Sequence, residues 1–181
     1  MTDETTVPDD EAVDAAPDAA PVHEDEVLAA VATAAPSASF GVSPAGIDTA
    51  HVDREEYVAA VAAAKDAGFQ MFTDLCAVDH LRRRRDRFEV IVQLVSLTLR
   101  RRLAVHVAIP GGDPSVPTIT PIYQGANFYE REAYDLFGIV FDGHPDLTRL
   151  LLPDDWEGHP MRKDHPVGAV PVQFKGANKV T

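Results

Sequence analysis

Apolar residues recur along this chain with two different periods. Val27, Leu28 and Val31 share one helical face over residues 24–34, which Pro36 and Gly41 close. Residues 46–52 read as a short strand. Asp53 then caps a second helix to about residue 66, with Glu56 three positions on, able to reach back as in a capping box. Its inward positions are Tyr57, Val61 and Ala64, and Gly68 ends it. Residues 69–78 are apolar and mixed, whereas 88–99 and 103–109 are β-branched and alternate, which predicts a pair of strands with Arg100, Arg101 and Arg102 at their turn. A loop follows at Gly111, Gly112, Pro114 and Pro117. A third helix is predicted over 121–137, with Thr120 as cap, Pro121 in the first position and Gly138 at the end. Ile122, Ala126, Tyr129, Ala133 and Phe137 fall on one face, and Glu130, Arg131 and Asp135 lie mostly off it, Arg131 and Asp135 as an i,i+4 pair. Beyond Gly138, Pro145, Pro153, Pro160 and Pro166 are too frequent for long helices or central strands. The order predicts an α+β fold: a mixed sheet of about four to five strands packed by helices, followed by an extended C-terminal segment.

Charge divides the chain. Its 181 residues carry a net charge of −13, but ten of the 29 acids lie in residues 1–26, which hold no Lys or Arg. That stretch is rich in Ala and Pro and reads as a disordered acidic leader, because it cannot bury enough surface to offset its ordering entropy. The expected organisation is therefore a leader over 1–26, an α+β domain over 27–138 and an extended segment over 139–181 that docks on a partner. No apolar run approaches the ~20 residues of a membrane helix. The single cysteine, Cys76, can neither form an internal disulfide nor hold an iron–sulfur cluster, suits a reducing compartment, and reads as a small buried hydrophobe.

Candidate chemistry is sparse. His144, His159 and His165 with Asp146 and Asp164 lack the spacing of a zinc site, and the imidazoles are expected to bond backbone carbonyls or carboxylates instead. Glu130, Glu132 and Asp135 could supply a carboxylate pair, but Arg131 sits among them as a counter-ion and no nucleophile elbow or phosphate loop accompanies them. Eight arginines fall in residues 82–102 (Arg82 to Arg85, Arg87 and Arg100 to Arg102), yet without the aromatic-laced strand of an RNA binder; no nucleic-acid partner is expected.

The densest segment is 130–166. It begins Glu130-Arg131-Glu132-Ala133-Tyr134-Asp135-Leu136-Phe137-Gly138, continues Phe141-Asp142-Gly143-His144-Pro145-Asp146-Leu147, and closes Gly158-His159-Pro160-Met161-Arg162-Lys163-Asp164-His165-Pro166. These three linked blocks closely resemble the signature of the 30-kilodalton-type subunit of bacterial proton-pumping NADH:quinone oxidoreductase, respiratory complex I, with a weaker likeness over about 45–170. His165 stands where that family usually has Tyr or Phe, and Thr148 where it usually has Arg.

The resemblance implies a non-redox subunit of the peripheral, quinone-module arm, held against the large quinone-site subunit at the cytoplasmic face of the membrane. Membrane contact would be indirect, through the complex. NADH, flavin, iron–sulfur clusters and quinone would belong to partner subunits, with no cofactor, metal or catalytic residue in this chain. The signature residues Glu130, Arg131, Glu132, Asp135, Phe137, Gly138, Gly143, His144, Pro145, Asp146, Gly158, His159, Pro160, Arg162, Lys163 and Asp164 would serve the partner interface. Within it, the charged knot at Glu130, Arg131, Glu132 and Asp135 is expected to fix the helix end against Arg149, Arg162 or Lys163. A membrane-bound hydrogenase or ferredoxin-dependent quinone reductase uses a similar subunit and is the alternative. A free-standing hydrolase using Glu132 and Asp135 is the remote one.

Overall fold

A computed structural model describes residues 26–81 and 83–166. A five-stranded sheet forms the centre, in the order β1 (Ser39–Val42), β2 (Asp48–Val52), β5 (Arg101–Ile109), β4 (Phe88–Ser96), β3 (Met71–Asp79). β2 and β5 run parallel and the other pairs antiparallel, so the sheet is mixed. The fold is α+β, as the pattern of elements predicts. β4 and β5 form because their β-branched residues alternate: Phe88, Val90, Val92 and Leu94 are buried against the helical layer, with Leu103, Val105, Val107 and Ile109 beside them.

Helices cover one face. α1 (Glu26–Ala34) packs on α2 (Tyr57–Asp66), and α3 (Ala126–Phe137) packs on β3, where Phe72 meets Tyr129 edge-on at 5.3 Å. Tyr57, Val61 and Ala64 are buried as expected. The opposite face carries Glu89, Ile91 and Gln93 of β4, His106 of β5 and His51 of β2; all but Glu89 are half-buried.

Local structure departs from the sequence pattern in several places. Residues 39–42 are not a terminator but edge strand β1, paired with β2; a four-residue strand containing Gly41 shows no readable period. Among the described residues no side chain caps α2: the Glu56 carboxylate instead accepts from the Ser37 N–H and hydroxyl, which ties α2 to the end of α1. Arg101 and Arg102 belong to β5 rather than to the turn, and Arg101 forms a 2.7 Å ion pair with Asp48 of the parallel neighbour. α3 begins at Ala126 after Gly125, not at Pro121, because Thr120 donates to the Glu130 carboxylate instead of capping. Cys76 is exposed, since edge strand β3 turns its neighbour Leu75 inward and Cys76 out. Two three-residue strands, β6 (Ser115–Pro117) and β7 (Val140–Asp142), pair in parallel and bring the chain after α3 back beside the loop before it. The acidic leader (1–25), Arg82 and residues 167–181 lie outside the described residues.

Candidate functional site

Glu130 and Asp135, expected off the buried face of α3, are both fully buried. Glu130 falls in the stripe Ala126, Glu130, Ala133, Phe137, and loop 118–120 supplies the donors that make its burial tolerable. It accepts from the Ile119 N–H at 2.8 Å and from the hydroxyls of Thr118 and Thr120. Burial pushes its carboxyl above the usual range, against the pull of those donors and of His144. His144 accepts from the Asp146 N–H through Nδ1, so its Nε2–H points at the Asn127 carbonyl, 3.3 Å away, and lies 3.9 Å from Glu130.

Asp135 works in the other direction and captures the chain that follows. Its Oδ2 accepts from three successive backbone N–H groups, Leu150, Leu151 and Leu152, at 2.8–3.1 Å, while Oδ1 accepts from Arg149 at 2.8 Å. Burial alone would raise this carboxyl, but those donors outweigh it and hold it below its ordinary value. Arg131 does not pair with Asp135; its guanidinium donates to the carbonyls of Thr148 and Arg149. Glu132 is exposed and makes no hydrogen bond or ion pair among the described residues. Asp135 is thus spent on the chain that follows, while Glu132 faces outward.

The carbonyls at the C-terminus of α3 are taken up by the same segment. His159 Nδ1 donates to the Asp135 carbonyl at 3.0 Å, the Met161 N–H to Leu136, and Arg162 to Phe137 at 2.6 Å and Gly138 at 3.4 Å. These carbonyls have no partner within the helix, and a cation there also meets the negative end of the helix dipole. Gly138, with φ 71°, makes room: a Cβ there would stand 2.5 Å from His159 and 2.6 Å from Arg162. Buried Asp79 at the end of β3 completes the strap. It accepts two bonds from Arg87, one from the Leu81 N–H and one from the Lys163 N–H, and Arg87 continues to Asp164 at 2.7 Å. Burial would raise the Asp79 carboxyl, yet Arg87 and the two backbone donors hold it at about 2.

Of the other signature residues, Phe137 is buried against the core, Gly143, Pro145, Asp146 and Gly158 are exposed, and Pro160 is half-buried. The imidazoles of His144 and His159 meet backbone carbonyls, as expected, and His165 lies against Gly158. With the N–H groups of Leu150, Leu151, Leu152, Met161 and Lys163 spent on the domain, the segment turns apolar side chains outward: Leu151 is 60% exposed and Met161 54%, with Leu150 and, on α3, Phe128 also exposed.

One cluster has no signal in the sequence pattern. His51, Glu89 and His106 come from three strands, and their ligand atoms lie within 4.8 Å of one another on the open face. Burial and the neighbouring His106 lower the His51 pKa. Burial raises Glu89, but His106, His80 and Arg84 bring it down to about 2.

Fold and surface together define a class: a two-layer α+β domain whose C-terminal segment is strapped down by polar groups and displays apolar ones. Comparison with known proteins gives the particular family. Residues 50–170 match the family model described as "Respiratory-chain NADH dehydrogenase, 30 Kd subunit". A subunit of the NADH-quinone oxidoreductase of Salinispora arenicola is 42% identical over 160 residues, covering 84% of this chain and 65% of that protein. The NADH-quinone oxidoreductase relative from Roseiflexus castenholzii is 44% identical over 152 residues, covering 82% of this chain and 87% of that one. Among solved structures, the trypsin-resistant fragment of Nqo5 aligns with a TM-score of 0.61 at 37% identity, over 67% of this chain and 97% of the fragment. A chain of the membrane-bound sulfane sulfur reductase, an archaeal respiratory membrane complex, aligns with a TM-score of 0.70 at 26% identity, over 80% of this chain and 86% of that one. The chain belongs to the family of the 30 Kd subunit of respiratory-chain NADH dehydrogenase. It spans a little under two thirds of the length of the Salinispora relative. Among the described residues no helix is long and apolar enough to cross a membrane.

Proposed function

We propose that this chain is a docking subunit of the peripheral, quinone-module arm of an NADH–quinone oxidoreductase, seated on the large quinone-site subunit at the cytoplasmic face of the membrane. It makes no bonds in the reaction; NADH, flavin, iron–sulfur clusters and quinone belong to its partners. The observation that carries this reading is the display of Leu150, Leu151 and Met161 on a segment tied to its own domain through Asp135, Asp79 and the end of α3, with Phe128 of α3 exposed as well. Such a surface is preorganised, so little ordering cost is left for binding. A stable contact is expected to bury about 1,600 Å² in total. Affinity purification of the tagged chain from native membranes tests the reading: subunits that bind NADH and flavin are expected to accompany it. Recovery of the chain alone, as a monomer that turns over a small substrate, would contradict it.

The likeness to the sulfane sulfur reductase chain favours one second reading, an equivalent subunit in a related membrane complex. The same purification separates the two, because a hydrogenase-type or ferredoxin-dependent assembly would bring no NADH-binding partner.

A further inference from the structure

We propose that the open face of the sheet holds one zinc ion, bound by His51 of β2, His106 of β5 and Glu89 of β4. The topology makes the site. His51 and His106 are register partners on parallel strands, so their side chains leave the same face side by side, with ring centroids 4.5 Å apart. Glu89 lies diagonally across the antiparallel β4–β5 pair, and its Oε1 is 3.1 Å from His106 Nδ1. That separation is close to the edge of a tetrahedron with zinc–ligand bonds of about 2.0–2.1 Å.

Glu89 is prepared for one metal bond and no more. Its second oxygen, Oε2, accepts from His80 Nε2 at 2.8 Å and from Arg84 at 3.2 Å, leaving Oε1 toward the histidine pair. A ligating carboxylate whose other oxygen is tied by hydrogen bonds is the usual arrangement around a bound metal. The His51 ring makes no hydrogen bond among the described residues, although it is half-buried. Two imidazoles and a carboxylate are the donor set that zinc accepts, with its remaining position open to water on the exposed side. The ion would join β2 to the consecutive strands β4 and β5, from which α2 and β3 separate it in sequence.

The full chain, stripped of metal by a chelator, is titrated with Zn²⁺ by calorimetry and with Co²⁺ by visible absorption near neutral pH. One equivalent should bind, Co²⁺ should show the strong absorption of a four-coordinate site, and Zn²⁺ should raise Tm. His51→Ala and His106→Ala should each weaken binding by at least about tenfold, whereas His165→Ala, in the C-terminal segment, should leave it unchanged. Absence of binding, or binding that persists in the His51→Ala, His106→Ala double variant, overturns the proposal. Should those variants fail to fold by circular dichroism, the Co²⁺ spectrum of the unsubstituted chain decides. Weak six-coordinate absorption then counts against the site.

Discussion

Asp79 shows how much a single carboxylate does here. It collects four hydrogen bonds, two from Arg87 and two from backbone N–H groups, and one of its donors comes from the C-terminal segment. Its pKa falls from an ordinary 3.8 to about 2 on folding. A depressed carboxylate contributes stability that is complete above its unfolded value and is lost as pH falls from about 4 through about 2. The contribution is about 2 kcal/mol at neutral pH. Urea denaturation over that acid range should show the loss in the native chain and a shallower one in Asp79→Asn; equal slopes would contradict the assignment. Tyr57 gives an opposite case. Its hydroxyl is buried with no hydrogen-bond partner among the described residues, and the same burial pushes its pKa well up. Tyr57→Phe should therefore leave stability unchanged or raise it by about 1 kcal/mol in thermal denaturation. A loss of that size would show that the hydroxyl is bonded.

At the scale of elements, the junction between α3 and the segment after it is the unit that matters. The helix ends in a left-handed Gly138, and His159, Met161 and Arg162 occupy the carbonyls it leaves. Gly138→Ala adds a methyl where no space exists, at a φ that costs an L-residue about 1–2 kcal/mol before any clash. The expected outcome is a destabilisation of about 2 kcal/mol or more, with hydrogen exchange at 148–162 rising ahead of the sheet. Uniform exchange throughout would mean that the segment is not a separate unit. The long elements were legible in the sequence because alternation over nine residues, as in β4 and β5, is hard to produce otherwise. β1, β6 and β7 were not, since three or four residues carry no measurable period. The signature residues could be named, but the direction of Glu130 and Asp135 could not. Their donors lie at 118–120 and 149–152, outside the helix whose periodicity sets the expectation. The same holds more strongly for His51, Glu89 and His106, which only strand pairing brings together. Thr120 and Glu56 carried correct cap chemistry but spend it elsewhere, on Glu130 and on Ser37 respectively.

Across the whole molecule, labour is divided. The helical layer and sheet make the core, carboxylates at Asp79 and Asp135 strap the chain after α3 onto it, and the apolar side chains left outside are what another subunit would cover. Replacing displayed residues should then leave the fold intact and damage only assembly. Leu150→Glu with Leu151→Glu, introduced into the complex proposed for this chain, tests this most directly, with assembled complex quantified by native gel and NADH:quinone activity measured per assembled complex. The isolated variant should melt within a few degrees of the native chain, assembled complex should fall several-fold, and activity per remaining complex should be unchanged. Full assembly with lost activity would contradict that division by placing this surface in the chemistry, and full assembly with full activity would contradict it by showing that no partner covers the surface.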